Sequence, residues 1–322
     1  MNSFFRRCIG LFPAAALTVI LVVPAAHAQG RVILFGVDGL SVPGLKASKT
    51  PNIDALMKSG AWTMHMRAVR ETSSAPNWAS MIMGAPVELT GVTSNGWRWD
   101  GHTNSQSTDP GPYPPACELT PGSGYFPTVL GLEHEQHPNA KIGFFTDWKM
   151  YAYLFERSAA TKIVEEGKAH DGVNEHDDIF NQALAYFESD RPDVLVIHQD
   201  QVDDAGHAKG WGSPEYIAAV EDVDAKLGRL LDTLDKLGLR KSTTVILVAD
   251  HGGKGTHHGG DVLEMIQIPW IISGPGVKKD YEIKDPVLMT YDTAATMARV
   301  LKVKPSECWR GRSIDEAFTG KK

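Results

Sequence analysis

The sequence predicts an α/β fold, a mostly parallel central sheet with helices on both faces. Two observations carry this. Apolar runs of five to seven residues, rich in β-branched side chains, alternate with segments of helical spacing, the alternation that parallel strands and crossover helices require. The runs are also continuously apolar, as in strands covered on both faces. A chain of 322 residues can enclose one large, well-buried core, and no repeat or linker divides it.

The elements follow in order. Met1-Asn-Ser-Phe-Phe-Arg6-Arg7, an apolar run from Ile9 to Val23 broken by Pro13, and Ala26-His27-Ala28 describe a secretory signal peptide, residues 1–28. The run is shorter than the roughly 20 residues of a spanning helix. Cleavage after Ala28 would leave no stable membrane anchor, and residues 29–322 would form a single domain, periplasmic or secreted. Arg31–Val37 reads as the first strand. Thr50 caps a helix that starts at Pro51 and runs to Lys58. Ala79–Met83 has helix-forming character, with Pro76 in its first turn. Trp97–Gly124, rich in Gly, Pro, Ser and Thr, reads as a long lid loop. Phe126–Gln136 is helical, Lys141–Phe145 the second strand, Asp177–Glu188 a helix and Asp193–Ile197 the third strand. Ser213 caps a long helix, Pro214–Leu237. Thr243–Val248 and Ile268–Ile272 are the fourth and fifth strands, and Tyr291–Leu301 is the last helix.

Losing Arg6 and Arg7 with the leader takes the formal net charge from −7 to −9. That balance argues against a nucleic-acid-binding surface, which needs a basic footprint. It permits an anionic small molecule where bound cations reverse the local field. Cys117 and Cys308 remain in the mature chain. An oxidising compartment allows them to pair, but their spacing leaves the bond open, and oligomeric state is equally unread.

In open α/β sheets ligands bind beyond the carboxyl ends of the strands. Asp38-Gly39 follows the first strand. His198-Gln-Asp-Gln-Val-Asp203-Asp204-Ala-Gly206-His207 follows the third. Asp250-His251-Gly252-Gly253 and then His257-His258-Gly259-Gly260 follow the fourth. One aspartate after a strand is ordinary turn chemistry; three such sites on one rim are not. Carboxylate and imidazole donors without thiolate suit two divalent ions, zinc first, with manganese or cobalt also fitting. Asp203 and His207 are four apart, so a tight turn at Gly206 is expected to aim both inward. For a nucleophile, Thr72-Ser73-Ser74-Ala75-Pro76-Asn77 places hydroxyls before a helix N-terminus, where free N–H groups gather anionic charge. A plain helix cap explains such a serine equally well.

Gly36-Val-Asp38-Gly39, Ser74-Ala-Pro76-Asn77, Asp203-Asp-Ala-Gly206-His207, Asp250-His251-Gly252 and His258-Gly259 resemble, in order and spacing, the motifs of the alkaline phosphatase superfamily. The resemblance is to its nucleotide pyrophosphatase/phosphodiesterase (type I phosphodiesterase) branch, and it covers nearly all of the mature chain. It implies that Asp38, Asp250 and His251 hold one metal together with the Ser74 oxygen, and that Asp203, His207 and His258 hold the other. It selects Ser74 as nucleophile, where many members carry threonine, and Asn95 as the group that binds a phosphate oxygen. The implied activity is hydrolysis of a small phosphate ester, a diester first, through a covalent phosphoseryl intermediate. Asn95 and the N–H of Ser74 or Ala75 would bind a non-bridging oxygen. A phosphomonoesterase is the alternative, but its Lys-x-Arg pair is absent from Phe145-Thr146-Asp147-Trp148-Lys149. A sulfatase needs arginine where Trp78 stands. A non-catalytic metal-binding protein would have no use for an intact nucleophile beside both ligand sets. Trp148 is the best placed of Trp97, Trp99 and Trp148 to touch substrate. Asp147 and His198 read as residues that orient metal ligands, and His176 as a surface or helix-cap residue.

Overall fold

The computed structural model describes residues 30–97, 116–119, 124–168 and 174–320. The expected signal peptide and most of the expected lid lie outside the described residues, as does Trp99. Among the described residues eight strands form one sheet: β1 (Arg31–Val37), β2 (Ala61–Arg67), β3 (Ile142–Thr146), β4 (Lys162–Val164), β5 (Val194–Gln199), β6 (Thr243–Ala249), β7 (Gln267–Ser273) and β8 (Tyr281–Glu282). Their order across the sheet is β4-β3-β5-β1-β6-β7-β2-β8. The pairs β3–β4, β3–β5, β1–β5, β1–β6 and β2–β8 are parallel, while β6–β7 and β2–β7 are antiparallel. The mostly parallel sheet is therefore as expected, with β2, β4 and β8 added at its edges.

The ten α-helices among the described residues are α1 (Val42–Ala47), α2 (Pro51–Ser59), α3 (Ser74–Met83), α4 (Val87–Thr90), α5 (Val129–Gln136), α6 (Glu175–Asp190), α7 (Gln201–Lys209), α8 (Pro214–Lys236), α9 (Leu263–Ile266) and α10 (Asp292–Leu301). The Ser213 hydroxyl accepts the Tyr216 N–H and starts α8 as read. Thr50 precedes α2, but its side chain makes no capping bond there. The buried strands β1, β5 and β6 supply the centre of the core, which extends through α3, α5, α8 and α10.

The direction of β7 was not legible. Residues 250–266 stay at the rim and form only the one-turn α9, so no crossover helix returns the chain to the start of β6. The strand begins where β6 stopped and runs back. This keeps His251 and His258 in one loop beside the carboxyl ends of β1 and β5.

Candidate active site

The sheet order places β5, β1 and β6 side by side, so the residues after each strand meet although they are remote in sequence. Asp38 follows β1 and its N–H donates to the Gln199 carbonyl at the end of β5, 3.0 Å. Gly39 then turns with φ +67°, and a Cβ there would lie 2.7 Å from Asp203 Oδ1. Glycine is required on both counts, conformation and space. The Gly39 N–H donates to Asp250 Oδ1, 3.1 Å, and its carbonyl accepts from Trp211 Nε1 and the Tyr216 hydroxyl, both 2.8 Å.

One group of ligand atoms is fully buried. His251 Nε2 lies 3.4 Å from Asp38 Oδ1, 3.3 Å from Asp250 Oδ2 and 3.4 Å from Ser74 Oγ. His251 Nδ1 donates to the Gly252 carbonyl, 3.0 Å. A carbonyl only accepts, so the proton sits on Nδ1 and Nε2 turns a lone pair toward two carboxylates. The other group opens to solvent. Asp203 is buried and His207 exposed. His207 Nε2 lies 3.2 Å from Asp203 Oδ2 and His258 Nε2 4.0 Å from Asp203 Oδ1. Their Nδ1 atoms donate to the carbonyls of Thr256 and Thr72, 3.0 and 2.9 Å.

Asp203 and His207 are not joined by a tight turn. They lie on α7, one turn apart on the same face. Gly206 serves packing instead, because a Cβ there would lie 2.8 Å from the Trp211 ring.

This arrangement fits cations. Asp38 Oδ1, Asp203 Oδ1 and Asp250 Oδ2 are buried and accept no hydrogen bond, a costly state for carboxylate oxygens unless a positive charge faces them. Three imidazoles, each anchored through Nδ1 to a backbone carbonyl, turn Nε2 toward these carboxylates, the usual orientation of metal-bound histidine. Ligand atoms of Asp203, His207 and His258 fall within 4.8 Å of one another, as do those of Asp38, Asp203 and His251. Asp203 thus stands within reach of both groups, a proximity its assignment to one set did not anticipate. Asp38, His198 and Asp200 also cluster, but His198 faces a carboxylate with each ring nitrogen, Asp38 at 3.1 Å and Asp147 at 3.1 Å. It holds protons there, not a metal.

The charges agree. Burial works against ionised Asp38, yet hydrogen bonds from His198 and Trp78 and the nearby imidazoles hold it down at about 2. Burial also opposes a charged His198, but Asp147 and Asp38 outweigh it and raise this imidazole to about 10. Hydrogen bonding to Asp203 carries His207 up to about 9. Burial, then the charges of Asp38 and Asp203, push Asp250 well up, and burial lowers His251 and His258. Carboxylates crowded enough to raise one another are a site short of positive charge.

Ser74 opens α3 as its first residue; Ser73 stands at the cap position, without a side-chain capping bond. Ser74 is therefore not a cap, and its hydroxyl faces His251. Exposed Asn95 accepts the Ala75 N–H on Oδ1, 2.8 Å, so of the two backbone donors expected for phosphate only that of Ser74 is uncommitted to Asn95. Trp148 is half-buried with its ring 6.3 Å from that of His198. Trp97 is buried beside Tyr125, a packing role. His176 is no lone surface residue: its Nδ1 lies 2.8 Å from Asp147 Oδ2. Sequence reasoning missed Trp78, whose Nε1 donates to Asp38 Oδ2, 2.9 Å, and Trp211. Neither had a local signal, since both act across the fold.

The fold is that of the alkaline phosphatase superfamily. Residues 32–271 match the family described as type I phosphodiesterase/nucleotide pyrophosphatase, and the chain belongs to that family. Ectonucleotide pyrophosphatase/phosphodiesterase family member 3 of Mus musculus is 26% identical over 249 residues, 69% of this chain and 24% of that protein. Family member 7 of Homo sapiens is 25% identical over 272 residues, 80% of this chain and 57% of that protein. The chain thus spans between a quarter and just over half of these relatives. Among solved structures, inactive murine ectonucleotide pyrophosphatase/phosphodiesterase 5 in complex with AMP superposes with a TM-score of 0.72 at 15% identity, covering 90% of this chain and 100% of that one. A 2-O GAG sulfatase gives a TM-score of 0.69 at 18% identity over 91% of this chain and 75% of that one. At these identities the likeness speaks for the fold alone.

Proposed function

We propose that the chain is an exported phosphodiesterase of the nucleotide pyrophosphatase type that works with two divalent metal ions, zinc first and manganese or cobalt as alternatives. One observation carries this reading: Ser74 Oγ lies beside an unprotonated imidazole nitrogen, His251 Nε2, within a set of carboxylate oxygens that lack donors. Asp38, Asp250, His251 and Ser74 would hold one ion, and Asp203, His207 and His258 the other. When bound, the two ions offset charge on the attacking and leaving oxygens of an in-line displacement.

Ser74 Oγ attacks phosphorus while the leaving alcohol or nucleotide departs on the opposite side, and a phosphoseryl ester results. Water then cleaves that ester and restores the serine. The N–H of Ser74, at the positive end of α3, and Asn95 bind a non-bridging oxygen. Trp148 is assigned to contact with the leaving group. Asp147, at the place where a monoesterase carries its cationic pair, binds His198 and His176 instead. Lys149 in the same segment pairs with Glu166 and both imidazoles pair with Asp147, so these cations are already matched and none is spare for a doubly charged monoester, which favours the diester. Trp78, at the arginine place of a sulfatase, is spent on Asp38.

Export is supported by the pattern of residues 1–28, by the Cys117–Cys308 disulfide and by the ectoenzyme names of the relatives. Among the described residues no helix is long and apolar enough to cross a membrane.

The test is to purify the mature chain, count its metals, and compare rates on a bis-aryl phosphate diester, an aryl phosphate monoester and an aryl sulfate. About two metals per chain and a dominant diester rate are expected. A monoester rate far above the diester rate would make the protein a phosphomonoesterase, and bound zinc without turnover would make it a binding protein.

A further inference from the structure

A hydrogen-bonded chain leads away from the buried ligand group. Trp78 Nε1 and His198 Nε2 both meet Asp38 Oδ2, at 2.9 and 3.1 Å. Asp38 Oδ1, the oxygen nearer His251, accepts none. Behind His198, Asp147 Oδ1 lies 3.1 Å from Nδ1 and also accepts the Asp200 N–H at the start of α7, 2.9 Å. His176 Nδ1 then meets Asp147 Oδ2 at 2.8 Å, and its Nε2 lies 3.6 Å from Asp204 Oδ2 on α7. The rings of Trp78, Tyr151 and Trp148 surround His198 at centroid distances of 4.8, 5.3 and 6.3 Å. They fix its plane and exclude water.

We propose that His198 is a positioning residue: gripped by Asp147, it joins Trp78 in tying down Asp38 Oδ2, so that Asp38 offers a single oxygen, Oδ1, to the cation of the buried group. This rests on the two-metal reading above. A carboxylate free to rotate could chelate through both oxygens or swing toward neighbouring donors. Two donors on one oxygen remove those options, and a partner that fixes a ligand's orientation is typically worth about 10–100-fold in metal affinity. Neither His198 nor Asp147 faces the reaction. His198 reaches it through Asp38, while Asp147 holds His198 and also the Asp200 N–H at the start of α7.

The experiment uses the chelator-stripped mature chain with His207→Ala, which leaves the buried group as the zinc site. Zinc is titrated in competition with a chromophoric chelator. His198→Leu should weaken zinc about 10–100-fold. His198→Gln, whose amide N–H can still reach Asp38, should recover most of that loss. Asp147→Asn, a near-isosteric change, should weaken zinc by a smaller factor while the metal-free protein melts as the parent does, and it carries the test if the leucine variant does not fold. Unchanged zinc affinity in His198→Leu or Asp147→Asn would overturn the proposal, and so would equal losses in the leucine and glutamine variants, which would mark a purely structural role. Failure of the unsubstituted protein to take up zinc would instead defeat the two-metal reading.

Discussion

Ser74 begins α3 with its hydroxyl 3.4 Å from His251 Nε2 and only 5% of its surface exposed. Removing that oxygen removes the bond that would form to phosphorus and one of the four groups proposed for the buried ion, leaving Asp38, Asp250 and His251 to hold it. Ser74→Ala should lower turnover by at least about 10³-fold with both metals retained, checked by metal analysis and initial rates on a diester. Near-normal turnover would exclude serine as nucleophile. His176 yields a pH prediction. Burial opposes its charge, but Asp147 outweighs burial and raises its pKa above the ordinary 6.5. A raised histidine contributes stability that is complete below pH 6.5 and is lost as pH rises through the higher folded value. His176→Asn should therefore cost about 1 kcal/mol at pH 6, allowing for partial solvent screening, and progressively less toward alkaline pH. Denaturant melts of the metal-free protein across pH would show this, and a cost independent of pH would exclude a charged pair. At this scale the candidate ligands were legible because most follow the end of a readable strand. An orienting role for Asp147 and His198 was read there too, but not their partners, since β5 pairing with both β1 and β3 is what brings Asp38 and Asp147 to His198; Trp78 and His176 had no local signal.

Strands β1, β3, β5, β6 and β7 were legible because buried strands are written as unbroken apolar runs. β2 escaped because Ala61-Trp-Thr-Met-His-Met-Arg67 mixes polar residues into an edge region with a register shift. α7 escaped for another reason. Its sequence, Gln201-Val-Asp-Asp-Ala-Gly-His-Ala-Lys209, is polar, and its glycine reads as a turn, while what holds it is contact with α8 and Trp211. Tertiary packing overrode local preference. That packing is testable. In open solvent Gly206→Ala would gain about 1 kcal/mol of helix propensity. Here the new methyl meets the Trp211 ring at 2.8 Å, and overpacking of this kind costs about 1–3 kcal/mol. The variant should therefore be less stable in denaturant melts despite the better helix former. A more stable variant would show that Trp211 yields freely.

For the whole molecule, the sheet order that made the fold predictable also explains why the site is a stability device. Asp38, Ser74, Asp203 with His207, and the loop from Asp250 to His258 come from four separated stretches, and only the folded sheet brings them together. Two cations would tie these stretches to one another, whereas the disulfide Cys117–Cys308 staples residues 191 apart through a different pair of segments. The two devices should act separately. Replacing both cysteines with serine should cost about 2–5 kcal/mol whether or not metal is present. Metal acts by mass action on the folded state alone: at free zinc of 1,000 times the dissociation constant, each site adds about 4.1 kcal/mol. For a chain of this size that is roughly 7 °C in Tm per site. Stripping with a chelator should lower Tm by that order in the wild type and by the same amount in the double serine variant, and readdition of zinc should restore it. The orphaned oxygens of Asp38, Asp203 and Asp250 are the reason to expect such a shift, since without a cation each carboxylate keeps one buried oxygen that accepts no hydrogen bond. A Tm indifferent to chelation would mean that those carboxylates are satisfied without metal, and the two-ion centre would have to be abandoned along with the mechanism built on it.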